Sequence, residues 1–214
     1  MPFYLISFPS LERKNILLHP LLGHEIGHLL ADQFITEERK DAFSQNIINT
    51  ITKIVENDLK EQSIKKDNLF YRAFKEESIR QKLEEGLKCW KRGLEEILSD
   101  LVGTILFGPA ALFASFDMAL QQGFDHPPSP YDNFYPPWRL RLRYIIDFLN
   151  KTNEKLFPID KKYFKYSDRI NNVYYAIKEI TEKTTDIDII NKNTMLQSIY
   201  SNMQSDITEG IEFF

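Results

Sequence analysis

Cysteine is almost missing from this chain: Cys89 is the only one in 214 residues. A single thiol excludes an internal disulfide and suits a reducing, cytoplasmic setting. Cys89 sits among helix-forming residues and reads as a packing thiol. Surplus positive charge is missing as well. Lys and Arg number 27 against 31 Asp and Glu, a net charge of −4, which gives nucleic acid nothing to be drawn to. Long apolar runs are lacking too. The best candidate, Leu101–Ser115, falls short of the roughly 20 residues a membrane span needs. It is broken by Gly103, Gly108 and Pro109 and followed by Asp117, so a buried core helix is expected there. The start, Met1 to Ile6, has no basic leader with an apolar stretch behind it, and no secretory signal is expected. Strand-forming material is confined to residues 3–8, Phe-Tyr-Leu-Ile-Ser-Phe, bounded by Pro9.

What is present is helical. The apolar share of 43% and the charged share of 27% are those of an ordinary globular chain, long enough for one substantial core with or without a helical appendage. A first helix is predicted from about Pro20 to Phe34. Beyond Thr36, the residues Phe43, Ile47, Ile48, Ile51, Ile54, Val55 and Leu59 recur at helical steps. Lys65 to Asn68 reads as a break, and a second run follows from Phe70 through Phe74, Leu83, Trp90 and Leu94 to Leu101. The two runs predict an antiparallel helical hairpin with charged, solvated outer faces. Gly108-Pro109 breaks the chain and starts a new helix. Residues 124–137 hold five prolines and predict a loop. Helices resume at 138–149, 168–184 and about 194–207. The expected fold is all-α, with at most one or two short strands, and with 151–214 as a C-terminal helical extension on the core of residues 1–150.

Only four histidines exist: His19, His24, His28 and His126. Two of them stand in Gly23-His24-Glu25-Ile26-Gly27-His28, which reads H-E-x-x-H inside an apolar, proline-initiated helix. Residues four apart share a helix face, so His24 and His28 can offer two imidazoles to one metal ion, with Glu25 beside them to move a proton. Buried imidazoles without a metal would need other hydrogen-bond partners, at a cost. His19 is off that face and reads as a flanking residue. A catalytic zinc takes three protein ligands and keeps a fourth position open. Glu96 is the candidate for the third, with Glu95, Glu84 and Glu85 as alternatives. Asp100 shares the Glu96 face and can hold the far nitrogen of a ligating histidine.

His24, Glu25 and His28 on one helix, with Glu96 and Asp100 on a second, resemble the gluzincin metallopeptidases, whose helices carry H-E-x-x-H and E-x-x-x-D. His126-Pro127-Pro128 followed by Arg139, Arg141 or Arg143 is similar to the HtpX-type branch. Glu96 to Pro109 also looks like the second helix of the ImmA-type zinc domains. The resemblance covers roughly residues 15–145 and makes the hairpin, about 36–93, an insertion. It implies a zinc ion held by His24, His28 and Glu96 that activates water for attack on a peptide carbonyl. Glu25 then acts as general base and passes the proton to the leaving amine. For the oxyanion it implies a donor from the proline-rich loop, His126 first, then Tyr131, Tyr135 or Arg139.

Zn2+ as cofactor and a peptide or protein as substrate are therefore the expectation. The alternative is a catalytically silent zinc-binding module whose hairpin contacts a partner; a helical protein with no metal is the third reading.

Overall fold

The computed structural model describes residues 19–38, 45–61, 69–153, 167–182 and 193–214. Among them stand seven α-helices and no strand, so the fold is all-α. They are α1 (His19–Glu37), α2 (Gln45–Glu61), α3 (Leu69–Phe107), α4 (Pro109–Gln122), α5 (Trp138–Asn153), α6 (Ser167–Glu182) and α7 (Thr194–Phe213), with a single 3-10 turn at Pro130–Asp132. The candidate strand at 3–8 and the break at 65–68 lie outside the described residues.

The 39-residue α3 is the axis of the molecule. Its first half is amphipathic, with exposed pairs such as Lys88–Glu84 on the solvent side. Its second half is enclosed: Leu94, Glu96, Ile97, Leu98, Ser99, Asp100, Leu101 and Val102 are all buried. The second arm of the hairpin and the helix bearing Glu96 and Asp100 are thus one continuous element. α1 lies along this buried half, and its contact stripe is Gly23, Gly27, Ala31 and Phe34, one residue per helical turn. α2 adds Ile47, Ile51, Val55 and Leu59 against the amphipathic half.

α7 closes the main core with Leu196, Ile199, Tyr200, Met203 and Ile207. Asn193 caps it, accepting hydrogen bonds from the Met195 and Leu196 amides at 3.1 Å each. Trp90 donates its indole N–H to the buried Asp206 carboxylate at 3.0 Å, which joins α7 to α3. Cys89 is buried beside Tyr200, in keeping with a packing thiol.

The apolar stretch 101–115 is two helices rather than one. Gly108, at φ 58°, turns the chain and Pro109 opens α4. Ile105, Leu106 and Phe107 are exposed at that turn, so only part of the stretch is core. No helix among the described residues is long and apolar enough to cross a membrane. α4, α5 and α6 build a second core from Leu112, Ala119, Leu142, Ile145, Leu149 and Ile177. The loop 123–137 runs between α4 and α5. Arg139 ties it down by gripping the Asp125 carboxylate at 2.6 and 2.7 Å and donating to the Ile180 carbonyl at 2.6 Å.

Candidate metal centre

The α1–α3 contact decides what meets what. A helix whose buried stripe is Gly23 and Gly27 presents the next residue of each turn, His24 and His28, to one side of that contact. The two rings stand nearly perpendicular, with centroids 4.6 Å apart. Across from them, α3 brings Glu95, Glu96 and Asp100.

Glu96 is almost fully buried. Its Oε2 lies 3.4 Å from His24 Nε2 and its Oε1 lies 3.7 Å from His28 Nε2. Ligands at about 2.0–2.2 Å from a tetrahedral zinc stand about 3.4 Å from one another. The two separations, each to a different Glu96 oxygen, are close to that value. Both Glu96 oxygens are buried and neither accepts a hydrogen bond of acceptable geometry, although Arg92 Nη2 and Arg141 Nη1 approach at 2.9 and 3.1 Å. The buried charge is offset by these two guanidiniums, while the hydrogen-bonding capacity of both oxygens stays unused.

Each imidazole is held from behind by its own carboxylate. His24 Nδ1 is 2.8 Å from Asp100 Oδ1, a close but bent approach. His28 Nδ1 is 3.1 Å from Glu95 Oε1. Both rings are thereby turned so that Nε2 faces Glu96, the orientation a ligating histidine needs. Each carboxylate is held in turn by an arginine. Arg141 of α5 grips Asp100 through two hydrogen bonds of 2.7 Å, and Arg92 of α3 binds Glu95 at 3.0 Å. Trp138 stacks on the Arg141 guanidinium, 3.9 Å from its ring centre.

Burial works against charge on His24, but the Asp100 carboxylate and the contacts with Asp100 and Glu96 outweigh it and raise its pKa to about 9. Burial also works against charge on Asp100. The Arg141 guanidinium, with His24 after it, overcomes that and keeps the carboxyl well below its usual range. Glu25 completes the cluster: ligand atoms of His24, Glu25 and His28 lie within 4.8 Å of one another. Four carboxylates, those of Glu25, Glu95, Glu96 and Asp100, meet two guanidiniums here. With His24 charged as well the excess is one negative charge, and it becomes two when that imidazole is neutral.

The cluster opens on a cleft of about 850 Å³ lined by His24, Glu25, His28 and Glu96, with Leu21, Met118, Trp138, Pro136 and Pro137 as apolar wall. His126 and Tyr135 reach it from the loop. His126 is exposed and rests against Gly123, where a Cβ would stand 2.9 Å from its Nε2. Tyr131 is fully exposed and is no part of the lining, and Arg139 is turned away to Asp125. Glu84 and Glu85 are exposed on the first half of α3, away from the cluster. His19 is the first residue of α1. Sequence reasoning passed over Glu95 as the partner of His28 and over Arg92 altogether. The alternation of Arg139, Arg141 and Arg143 gave no sign that Arg141 alone grips Asp100.

Comparison with known protein families, with characterised proteins and with solved structures finds no match. The functional reading therefore rests on the residues of this cleft.

Proposed function

We propose that this protein is a zinc-dependent peptidase. The observation that carries the reading is the buried Glu96, whose two oxygens lie 3.4 and 3.7 Å from Nε2 of His24 and Nε2 of His28, close to the separation of ligands on one ion. His24, His28 and Glu96 would hold the ion, which supplies Lewis-acid activation of water and of a peptide carbonyl. Glu25, exposed beside the histidines and open to the cleft, is the general base: it takes the proton from the attacking water and delivers it to the leaving amine. Asp100 and Glu95 fix the two rings. His126 contacts the bound chain from the loop side. The apolar wall excludes water from the opposite side of a bound peptide. The single cysteine fits a cytoplasmic setting, where a peptide or unfolded protein is the substrate.

One observation favours a second reading, a zinc-binding module without turnover. Arg92 and Arg141 both approach Glu96 and neutralise part of the charge that would bind the ion. The two readings part on one experiment. Elemental analysis of the purified protein should find one zinc per chain, and the loaded protein should cleave an unbiased peptide library. Glu25→Gln should keep the zinc and lose cleavage by 10²-fold or more, the order expected for removal of a general base. Bound zinc with no cleavage by the wild type would leave the module reading standing, and absence of zinc would remove both.

A further inference from the structure

We infer that Arg92 controls loading of the metal centre: its charge holds down the zinc affinity of Glu96, and its bond to Tyr135 makes that affinity depend on the loop beside the cleft. The ligands His24, His28 and Glu96 are those of the peptidase reading, on which this rests; what is added is how tightly they take the ion.

Three features single out this guanidinium. First, its directed bonds go elsewhere than to Glu96. Arg92 Nη1 donates to Glu95 Oε2 at 3.0 Å, and Nη2 donates to the Tyr135 hydroxyl oxygen, with the guanidinium 4.1 Å from the centre of the Tyr135 ring. Glu96 Oε1 is 2.9 Å from Nη2 yet accepts no hydrogen bond of acceptable geometry. Arg92 therefore gives Glu96 charge but no orientation. That charge opposes a second cation brought to the same carboxylate.

Second, Arg92 Nε is buried and has no acceptor. An unpaired buried donor is costly. What the placement secures is one cation against Glu95, Glu96 and Tyr135 together. Third, Arg92 differs from Arg141, the other guanidinium near Glu96. Arg141 is buried and matched by two 2.7 Å bonds to Asp100, so it belongs to the scaffold. The side chains of Arg92 and Glu95 are 24% and 21% exposed at the cleft, where the Arg92 charge can be removed without stranding a buried partner.

The link to the loop follows from Nη2, which lies between two acceptors. Tyr135 stands next to Pro136 and Pro137, and all three line the cleft. Asn133 and Phe134, at φ 54° and 60°, turn the backbone just before it. A loop movement that draws the Tyr135 hydroxyl away leaves Glu96 as the one remaining partner of Nη2, and the guanidinium then competes harder with the ion. The coupling is reciprocal: a loop position that favours loading is favoured by loading to the same degree.

Competition with a chelator measures zinc affinity in the wild type and four variants. Arg92→Gln should bind zinc about tenfold more tightly than the wild type, whereas Arg92→Lys, which keeps the charge, should stay within about threefold of it. Tyr135→Phe should bind zinc about threefold more weakly or worse, and the same substitution added to Arg92→Gln should change nothing further. A part in the scaffold alone would not give shifts of opposite sign. Affinity in Arg92→Gln equal to or weaker than wild type would overturn the inference, and would leave the peptidase reading intact where the zinc-loaded wild type cleaves peptides. No weakening by Tyr135→Phe, or a weakening that persists in the Arg92→Gln background, would overturn the link to the loop. The expected shifts in a wild type that binds zinc but cleaves nothing would overturn the peptidase reading alone, and a wild type that takes up no zinc would overturn both.

Discussion

Gly27 of α1 and Ser99 of α3 touch backbone to backbone: a Cβ on Gly27 would stand 2.5 Å from Ser99 Cα and 2.7 Å from its carbonyl oxygen. One turn earlier the pattern repeats, with a Cβ on Gly23 falling 3.0 Å from Gly103 Cα. Glycine in a helix interior costs about 1 kcal/mol relative to alanine. What that cost secures is a close approach of the two helices, and with it the 3.4 Å and 3.7 Å separations between the imidazoles and Glu96.

Gly27→Ala should therefore damage both the fold and the site. The added methyl meets backbone, which cannot swing aside, so α1 must move away from α3. A destabilisation of about 1–3 kcal/mol is expected, together with zinc affinity at least tenfold lower. Gly93→Ala is the control. Its methyl would meet Met203 Cε at 3.0 Å and Tyr200 Cε1 at 3.1 Å, side-chain atoms of α7 that can give way, and zinc affinity should be unchanged. Urea denaturation and a competition titration with a chelator measure the two quantities. Equal zinc affinities in the two variants would contradict the role given to the glycine contact.

The two carboxylates behind the imidazoles should differ in what their loss does. Asp100 is buried and shares Arg141 with Glu96, so Asp100→Asn strips a buried guanidinium of its bidentate partner. A loss of about 3 kcal/mol or more in stability is expected, with zinc affinity reduced 10- to 100-fold. Glu95 is partly exposed, and its contacts with His28 and Arg92 lie at the cleft edge. Glu95→Gln should change stability by less than about 1 kcal/mol and still weaken zinc binding about tenfold. Similar destabilisation by both substitutions would mean that burial does not separate their roles.

Much of this was legible in the chain. Ile47, Ile51, Val55 and Leu59 recur at helical steps and are the buried face of α2, because an amphipathic helix records its own orientation. Pro109 marked the start of α4 for a reason local to its own ring. His24 with His28, and Glu96 with Asp100, could be paired in advance because residues four apart share a helix face, and the structure brings the two pairs together. The rest depends on contacts far apart in the chain. Nothing in Glu95-Glu96 says which carboxylate faces both Nε2 atoms and which meets His28 Nδ1, since the choice is made by where α1 lies. Gly23 and Gly27 read as weak points of a helix until the second helix is in place. The same holds for Arg92, which on sequence alone is one more charge on a charged helix.

Acidity should act on the metal-free and the zinc-loaded protein in opposite directions. In the metal-free protein His24 has its pKa raised from an ordinary 6.5 to about 9. A raised pKa means that the folded state holds the proton more tightly, so its contribution is complete below about pH 6.5 and fades as the pH rises toward 9. Asp100 is depressed below its ordinary 3.8, so its contribution is complete above that value and fades as the pH falls through the folded pKa. Between them the two groups favour a stability maximum from about pH 4 to pH 6.5 in chelator-treated protein. Zinc requires the imidazole neutral and must displace the His24 proton, so the stabilisation gained on adding zinc should grow from pH 6 to pH 8 while the metal-free protein weakens. Thermal denaturation at a series of pH values, with and without zinc, reads both slopes. A metal-free Tm that rises between pH 6.5 and 8 would mean that His24 is not held charged by Asp100 and Glu96. A zinc-induced rise in Tm that does not depend on pH would mean that His24 is not a ligand.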